Sequence, residues 1–285
     1  MKKTTFLIAL FSILLSYSLP AQVKGEASYQ VKYEVNFAID STDRGERTIE
    51  MHNLYTGNSV SYYVSDVFIA LDSMMTQFRE NPQAGMRRMS GNFQDMPRPE
   101  FLARVYKDLK DNETWVTAAV LRDRYLYEET DIPVVWKMTE ETKEIGEYSA
   151  QKATTHFGGR DWTAWFTFQV PIQDGPYVFS GLPGLILELS DTDEDYQFNV
   201  TSIKPLEEKY EIELKTDKLK NLSKKEFIKA YENFRENPLG QFADRIRQMD
   251  MKFPDPTTGD MISGSEFIRR AKQEVARRNN YIERW

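Results

Sequence analysis

The sequence predicts an α+β fold, a large and mostly antiparallel curved sheet with C-terminal helices packed on it. Three observations carry that prediction. In "ASYQVKYEVNFAID", Tyr29, Val31, Tyr33, Val35, Phe37 and Ile39 alternate with mostly polar residues, the period-two pattern of a half-buried strand. The apolar runs around 113–129 and 146–216 follow one another too closely for crossover helices, which favours a meander over a parallel sheet. The last sixty residues instead carry capped, striped helical patterns that supply the layer a one-sided sheet needs.

Taken in order, the chain opens with "MKKTT", the apolar run "FLIALFSILL" and the exit "SYSLPAQ". A basic start, a short apolar stretch and a small-residue exit are the layout of a secretory signal peptide over 1–21, with cleavage after Ala21. A buried N-terminal helix is the alternative. Residues 22–285 are expected to form one α+β domain, with strands over 22–216, one helix near 66–80, and mainly helix over 223–285.

After the first strand, shorter alternations recur at Val60, Tyr62 and Val64, at Tyr196, Phe198 and Val200, and at Tyr210, Ile212 and Leu214. All are expected on one apolar face, the other facing water. The helix near 66–80 places Val67, Phe68, Leu71, Met74, Met75 and Phe78 on one stripe and stops at Pro82. Residues 79–100 hold three prolines, two glycines and several methionines, Met86 and Met89 among them, and are expected to form a loop able to act as a lid. Ser223 with Glu226 and Ser263 with Glu266 read as capping boxes. The first is followed by the stripe Phe227, Ala230, Tyr231 and Phe234, the second by Phe267, Ala271, Val275 and Ile282.

In "FSGLPGLILELSD", Pro183–Gly184 instructs a type II turn with positive φ at Gly184. A strand follows, with Leu185, Leu187 and Leu189 on one face and Ile186, Glu188 and Ser190 on the other. The upstream "GPYVFSGL" is expected to form an apolar loop open to a partner. In 160–170, Trp162, Ala164, Phe166, Phe168 and Val170 are expected to enter the core. That turns Trp165 to the polar face among threonines, where an exposed aromatic marks a ligand or protein contact unless a helix or the 79–100 loop covers it.

Composition narrows the function classes. The chain has 44 acids against 37 lysines and arginines and a net charge of −7. Losing Lys2 and Lys3 with an acid-free leader takes that to −9, which argues against nucleic acid as the main partner. There is no cysteine, so neither disulfides nor cysteine-linked lipid are available, and stability must come from packing. No later segment is apolar enough to cross a membrane.

The stretch "EIGEYSAQKATTHFGGRDWTAWFTFQVPIQDGPYVFSGLPGLILELSD" resembles the GLPGLI family of Bacteroidetes. It carries Lys152–Ala153, Gly159–Arg160, Ala164–Trp165–Phe166, Gly175–Pro176 and the motif Gly181, Leu182, Pro183, Gly184, Leu185 and Ile186. "NNYIE" at 279–283 is similar to the family's "NNPIE", with Tyr281 in place of proline. Ala150 stands where relatives often have cysteine, so no thiol chemistry is available. The resemblance implies an exported cell-envelope protein without defined catalytic residues, periplasmic or extracellular, and an accessory role beside outer-membrane transport. By analogy of fold alone, such a sheet is similar to the half-barrels of periplasmic lipoprotein carriers.

Candidate chemistry is sparse. Arg160, beside Asp161, either forks onto a ligand carboxylate or forms a salt bridge at the strand end. "DTDED" at 191–195 spaces carboxylates as calcium loops do, but Tyr196 and Ser202 occupy the positions that need glycine and glutamate, so a solvated hairpin turn explains it better. His52 and His156 lie in no metal-spaced pair, and no serine occupies a nucleophile elbow. No cofactor, metal or catalytic group is expected. The reading is a non-enzymatic binding protein for a peptide, a lipid-like ligand or a protein partner, with Trp165, Arg160, Tyr177, Phe179, Leu182, Met86 and Met89 as contact residues. A carboxylate- or metal-dependent hydrolase and a structural envelope component are the alternatives.

Overall fold

The alternation over 29–39 lies largely in β1 (Lys24–Phe37), which pairs on both sides and joins two meanders into one sheet. The computed structural model describes residues 23–83, 98–120, 123–131, 133–249, 251–255 and 258–284. The expected leader and the methionines Met86 and Met89 lie outside the described residues. One arm runs from β1 through β2 (Thr48–Thr56), β3 (Val60–Ser65), β4 (Ala103–Asp108) and β5 (Glu113–Val120) to β6 (Asp123–Glu128). The other runs back from β11 (Tyr196–Glu213) through β10 (Leu185–Asp191), β9 (Arg160–Thr167) and β8 (Tyr148–Phe157) to β7 (Lys137–Ile145). With the short β12 (Lys220–Asn221) this makes an open sheet of 12 strands, antiparallel except where β12 meets β6.

The main core lies on one face, here the core face. Val31, Tyr33, Val35 and Phe37 of β1 meet Trp162, Ala164 and Phe166 of β9 and Phe198 of β11 there, all essentially buried. The opposite face is not simply wet, which corrects the one-sided reading. Val60, Tyr62, Val64, Trp115, Leu126, Ile212 and Leu214 form a second core behind the sheet. β3 is consequently buried at every position, with Tyr63 in the main core and its neighbours Tyr62 and Val64 in the second. Periodicity shows that Val60, Tyr62 and Val64 share a face, but not which core claims it. In β1 a register shift between Ala27 and Tyr29 transfers the inward set from one core to the other.

Helix α1 (Asp66–Glu80) starts where Ser65 Oγ accepts a hydrogen bond from the Phe68 N–H at 3.3 Å. Its expected stripe does not enter the main core. None of its residues is fully buried, and Phe68 and Ile69 rest on the second core. Helix α2 (Lys224–Glu236) does roof the core face: Phe227 and Tyr231 are buried, and Phe227 stacks on Tyr127 with ring centroids 4.7 Å apart. Its capping box is complete.

The second box is only half made. Ser263 caps α4 (Gly264–Arg277), but the Glu266 carboxylate turns to Arg269 and Arg270. Ile268 of α4 packs with Ala243 and Ile246 of α3 (Gln241–Gln248) in a satellite core beside the β13–β14 hairpin (Lys252–Pro254, Met261–Ser263). This pair therefore does not roof the sheet. No helix among the described residues is long and apolar enough to cross a membrane.

The motif strand differs in detail from the expectation. Positive φ falls on Gly181, at 88°, and not on Gly184. Gly184 serves another need, because a Cβ there would stand 2.0 Å from the Thr167 carbonyl oxygen of the neighbouring strand. A bulge between Ile186 and Glu188 then resets the alternation. Ile186 pairs with Phe166 and Leu189 with Ala164, so Ile186 belongs to the core face and Glu188 to the outer one. Phe168 lies beyond the end of β9 and is 59% exposed, contrary to its expected burial, whereas Val170 is buried.

Candidate functional site

The C-terminal segment 279–284 closes one end of the core face, where Gly158, Gly159, Arg160 and Tyr177 meet it. Gly158 and Gly159, at φ 58° and 69°, turn β8 into β9. A Cβ on Gly158 would meet Glu283 Cγ at 2.7 Å, and one on Gly159 would meet the Arg284 carbonyl oxygen at 2.6 Å, so the segment lies directly on this turn. The Arg284 N–H donates to the Gly158 carbonyl at 2.6 Å.

Arg160, the next residue, is buried, and every one of its side-chain nitrogens has partners. Nη1 donates to Asp191 Oδ2 at 2.6 Å and Asp195 Oδ2 at 3.0 Å; Nη2 donates to Asn280 Oδ1 and the Tyr281 carbonyl, both at 2.6 Å. Nε reaches the Tyr281 carbonyl at 3.2 Å. The guanidinium is thus a clamp between the "DTDED" turn and the C-terminal segment, and its fork is not available to a ligand. Asp161 takes no part and pairs with the exposed His156.

The acidic turn is not the solvated hairpin expected. Asp191 and Asp195 are buried, and Asp193 is the exposed member. Carboxylate oxygens of the three come within 4.8 Å of one another, close enough to hold a cation. Arg160, Arg44 (Nε 2.9 Å from Asp195) and Arg284 (2.9 Å from Asp195, 2.6 Å from Asp193) already supply positive charge there, so the arrangement is that of an arginine cluster.

A second buried ion pair fixes the loop before the motif. Lys107, in β4, is 1% exposed and its Nζ donates to Asp174 Oδ1 at 2.5 Å, the Gly175 carbonyl at 2.8 Å and the Phe179 carbonyl at 3.2 Å. Asp174 also accepts from Thr56 Oγ1 at 3.0 Å and the Gly175 N–H at 2.8 Å. Burial pushes the Lys107 ammonium down from its usual range, and the Asp174 charge opposes that shift. With its polar groups met, the loop folds into the core: Phe179 and Leu182 are buried side chains, not an apolar surface open to a partner. Neither Lys107 nor Asp174 carried any signal in the sequence, since 67 residues separate them.

Tyr177 sits in that loop at φ 53°, a left-handed conformation uncommon outside glycine. Its hydroxyl donates to Glu283 Oε1 at 2.5 Å, and burial followed by the Glu283 charge pushes its phenol well up. Glu283 also forms an ion pair with Lys224, Nζ to Oε2 2.8 Å, and Lys224 reaches the buried Glu129 at 2.7 Å. Desolvation, then the neighbouring Glu283, raises the Glu129 carboxyl, while Lys224 pulls it down.

Between the core face, α2 and the C-terminal segment lies a cavity of about 110 Å³. Phe37, Phe101, Tyr127, Tyr177, Phe227 and Tyr231 wall it, and the partly exposed Arg278–Glu100 ion pair forms a polar part of its lining. Of the contact residues expected from sequence that lie among the described residues, Tyr177 alone reaches it. Trp165 is half-buried on the opposite face from Trp162 and Phe166, with Lys143 Nζ 4.5 Å from its ring centroid and Glu188 and Lys152 as cross-strand neighbours. The Glu188 carboxylate holds Lys143 in place.

A further polar group lies behind the cavity wall. His52 is fully buried, its ring 5.0 Å from that of Phe101 and its Nε2 3.3 Å from Glu50 Oε2. Its Nδ1 has no hydrogen-bond partner among the described residues, and burial lowers its basicity.

Comparison with known proteins covers little of this. No curated protein matches the chain. Two solved structures of PNGF-II, in the P21 and C2 space groups, are similar at 14% and 15% identity with TM-scores of 0.45 and 0.44. They match over 71% and 70% of this chain and 32% and 31% of theirs, so the chain spans about a third of their length. A family model described as a protein of unknown function, Porph_ging, matches residues 159–188, the segment that supplies Arg160, Asp174, Tyr177 and the stretch from Gly181 to Ile186.

Proposed function

We propose that the protein is an exported, non-enzymatic cell-envelope protein of the GLPGLI type that binds the apolar end of a lipid-like ligand between its sheet and its C-terminal segment. The cavity carries this reading. Its walls are aromatic and it borders an ion pair rather than a catalytic array. At about 110 Å³ it is smaller than the roughly 150 Å³ that accepts a benzene molecule, so it suits a branched or short aliphatic end and not a whole lipid. The leader-like start of the chain supports export, and an accessory role beside outer-membrane transport fits such binding. The test is native mass spectrometry of the purified protein with short-chain and branched fatty acids. A bound species that disappears in Ala118→Phe, which fills the cavity, supports the reading; equal binding by both proteins contradicts it.

Glu129 favours a second reading. A carboxyl raised by burial next to the cavity residue Glu283 is the kind of group that donates a proton in hydrolysis. Glycosidase, esterase and peptidase screens on wild type and Glu129→Gln separate the two. Activity lost in the variant favours a hydrolase, and its absence in wild type favours binding alone.

A further inference from the structure

The second face of the sheet holds a groove of about 330 Å³, unrelated to the aromatic cavity, between α1, strands β4 to β6 and the chain leaving β11. Five cations line it, Arg79, Arg104, Arg124, Lys215 and Lys218, against the three acids Asp72, Glu213 and Asp217. In a chain of net charge −7 this local excess runs against the whole.

The ion pairs divide the lining into two sets. Arg104 is spent: its guanidinium forks onto both oxygens of Asp72 at 2.7 and 3.0 Å and lies 4.4 Å from the Phe68 ring centroid. Glu213 is shared by Lys24 at 3.6 Å and Lys215 at 3.8 Å. Arg79, Arg124 and Lys218 have no ion-pair or hydrogen-bond partner among the described residues, and the only acid of the lining in the same condition is Asp217. Thr76, Thr117 and Tyr106 bring hydroxyls to the same walls. Two guanidiniums and an ammonium converging from α1, β6 and the segment after β11 suit an anion with several oxygens, since arginine forks pair with phosphate oxygens two at a time.

We propose that this groove binds a phosphate-bearing ligand, either a small phosphate compound or the phosphate of a lipid headgroup. Asp72 holds Arg104 as a rigid floor, and Arg79, Arg124 and Lys218 contact the anion. An acidic protein with a cationic groove gains selectivity, because the net negative charge elsewhere repels polyanions.

The experiment is calorimetric titration of the full protein with inorganic pyrophosphate at low and high salt. In parallel, the protein is co-sedimented with phosphatidylglycerol and with phosphatidylcholine vesicles. Arg79→Gln, Arg124→Gln and Lys218→Gln are tested singly and together, with the exposed Lys229→Gln on α2 as control. Binding that weakens at least tenfold in the triple variant, falls with salt, and is kept by Lys229→Gln supports the site. Pyrophosphate binding assigns a soluble ligand, and binding to phosphatidylglycerol vesicles alone assigns a headgroup. Circular dichroism and the single variants guard against misfolding. No binding to either probe, or equal binding by the triple and control variants, overturns the proposal.

Discussion

The Arg160 guanidinium donates to the main-chain carbonyl of Tyr281 from two of its nitrogens, joining the start of β9 to a segment 121 residues later. This contact holds the C-terminal segment over the core face and so defines the cavity. Arg160 is also the partner of two buried carboxylates, Asp191 and Asp195. Removing one member of a buried charge network leaves the others uncompensated and costs about 3–5 kcal/mol. Arg160→Met is therefore expected to lower stability by about that amount in urea unfolding. Arg160→Lys should recover little, because one ammonium cannot serve Asp191, Asp195, Asn280 and Tyr281 together. A loss within experimental error would show that the cluster is incidental.

The two glycines of the motif are expected to fail differently. Gly181→Ala meets open space and strains only a left-handed backbone, a loss of about 1–2 kcal/mol. Gly184→Ala drives a methyl into the Thr167 carbonyl and must separate β9 from the turn, costing more than its neighbour. Thermal unfolding of both variants checks the order. Equal effects would contradict the assignment of separate roles.

Lys107 and Asp174 lend themselves to a double-mutant cycle. Lys107→Met leaves Asp174 buried without its cation, and Asp174→Asn leaves the ammonium without its anion; each is expected to cost about 3–5 kcal/mol. The double variant should cost clearly less than the sum, because neither charge remains stranded. Additive losses would mean that the pair does not act as a unit.

His52 gives the protein a pH dependence with a definite sign. Its folded basicity is lowered, so below the ordinary imidazole range the unfolded chain binds the proton more readily. Its contribution is full above pH about 6.5 and is lost as pH falls below that value. Between pH 7.5 and 5.5 the melting temperature of wild type should fall further than that of His52→Phe. Parallel curves would remove His52 from the account.

Much of the fold was legible locally. Strict alternation over 29–39 marked β1, crowding of apolar runs marked the meander, and Ser223 with Glu226 marked the start of α2. What failed were questions of destination. Val60, Tyr62 and Val64 do share a face, but that face packs a second core, which periodicity cannot reveal. Pro183–Gly184 announced a bend but not its type, since Gly184 does not take the positive φ of a type II turn, and the close approach of Thr167 that requires Gly184 is a tertiary fact. Trp165 does point away from Trp162 and Phe166, as its place in the alternation demands, and a lysine from β7 then lies over it. Arg160 was visible as a charge beside two glycines, but its partners lie 31, 35, 120 and 121 residues away. The cavity had no sequence signature, because its walls come from β1, β4, β5, β6, β11, α2, the connecting loops and the C-terminal segment.

The most direct measurement is a ligand-soaked crystal structure of wild type beside Ala118→Phe, using a short branched fatty acid. The account predicts density for the aliphatic end among Tyr127, Tyr177 and Phe227 in wild type, with none in a variant that keeps the wild-type melting temperature. An unoccupied cavity at saturating ligand, or the same density in both proteins, would contradict it.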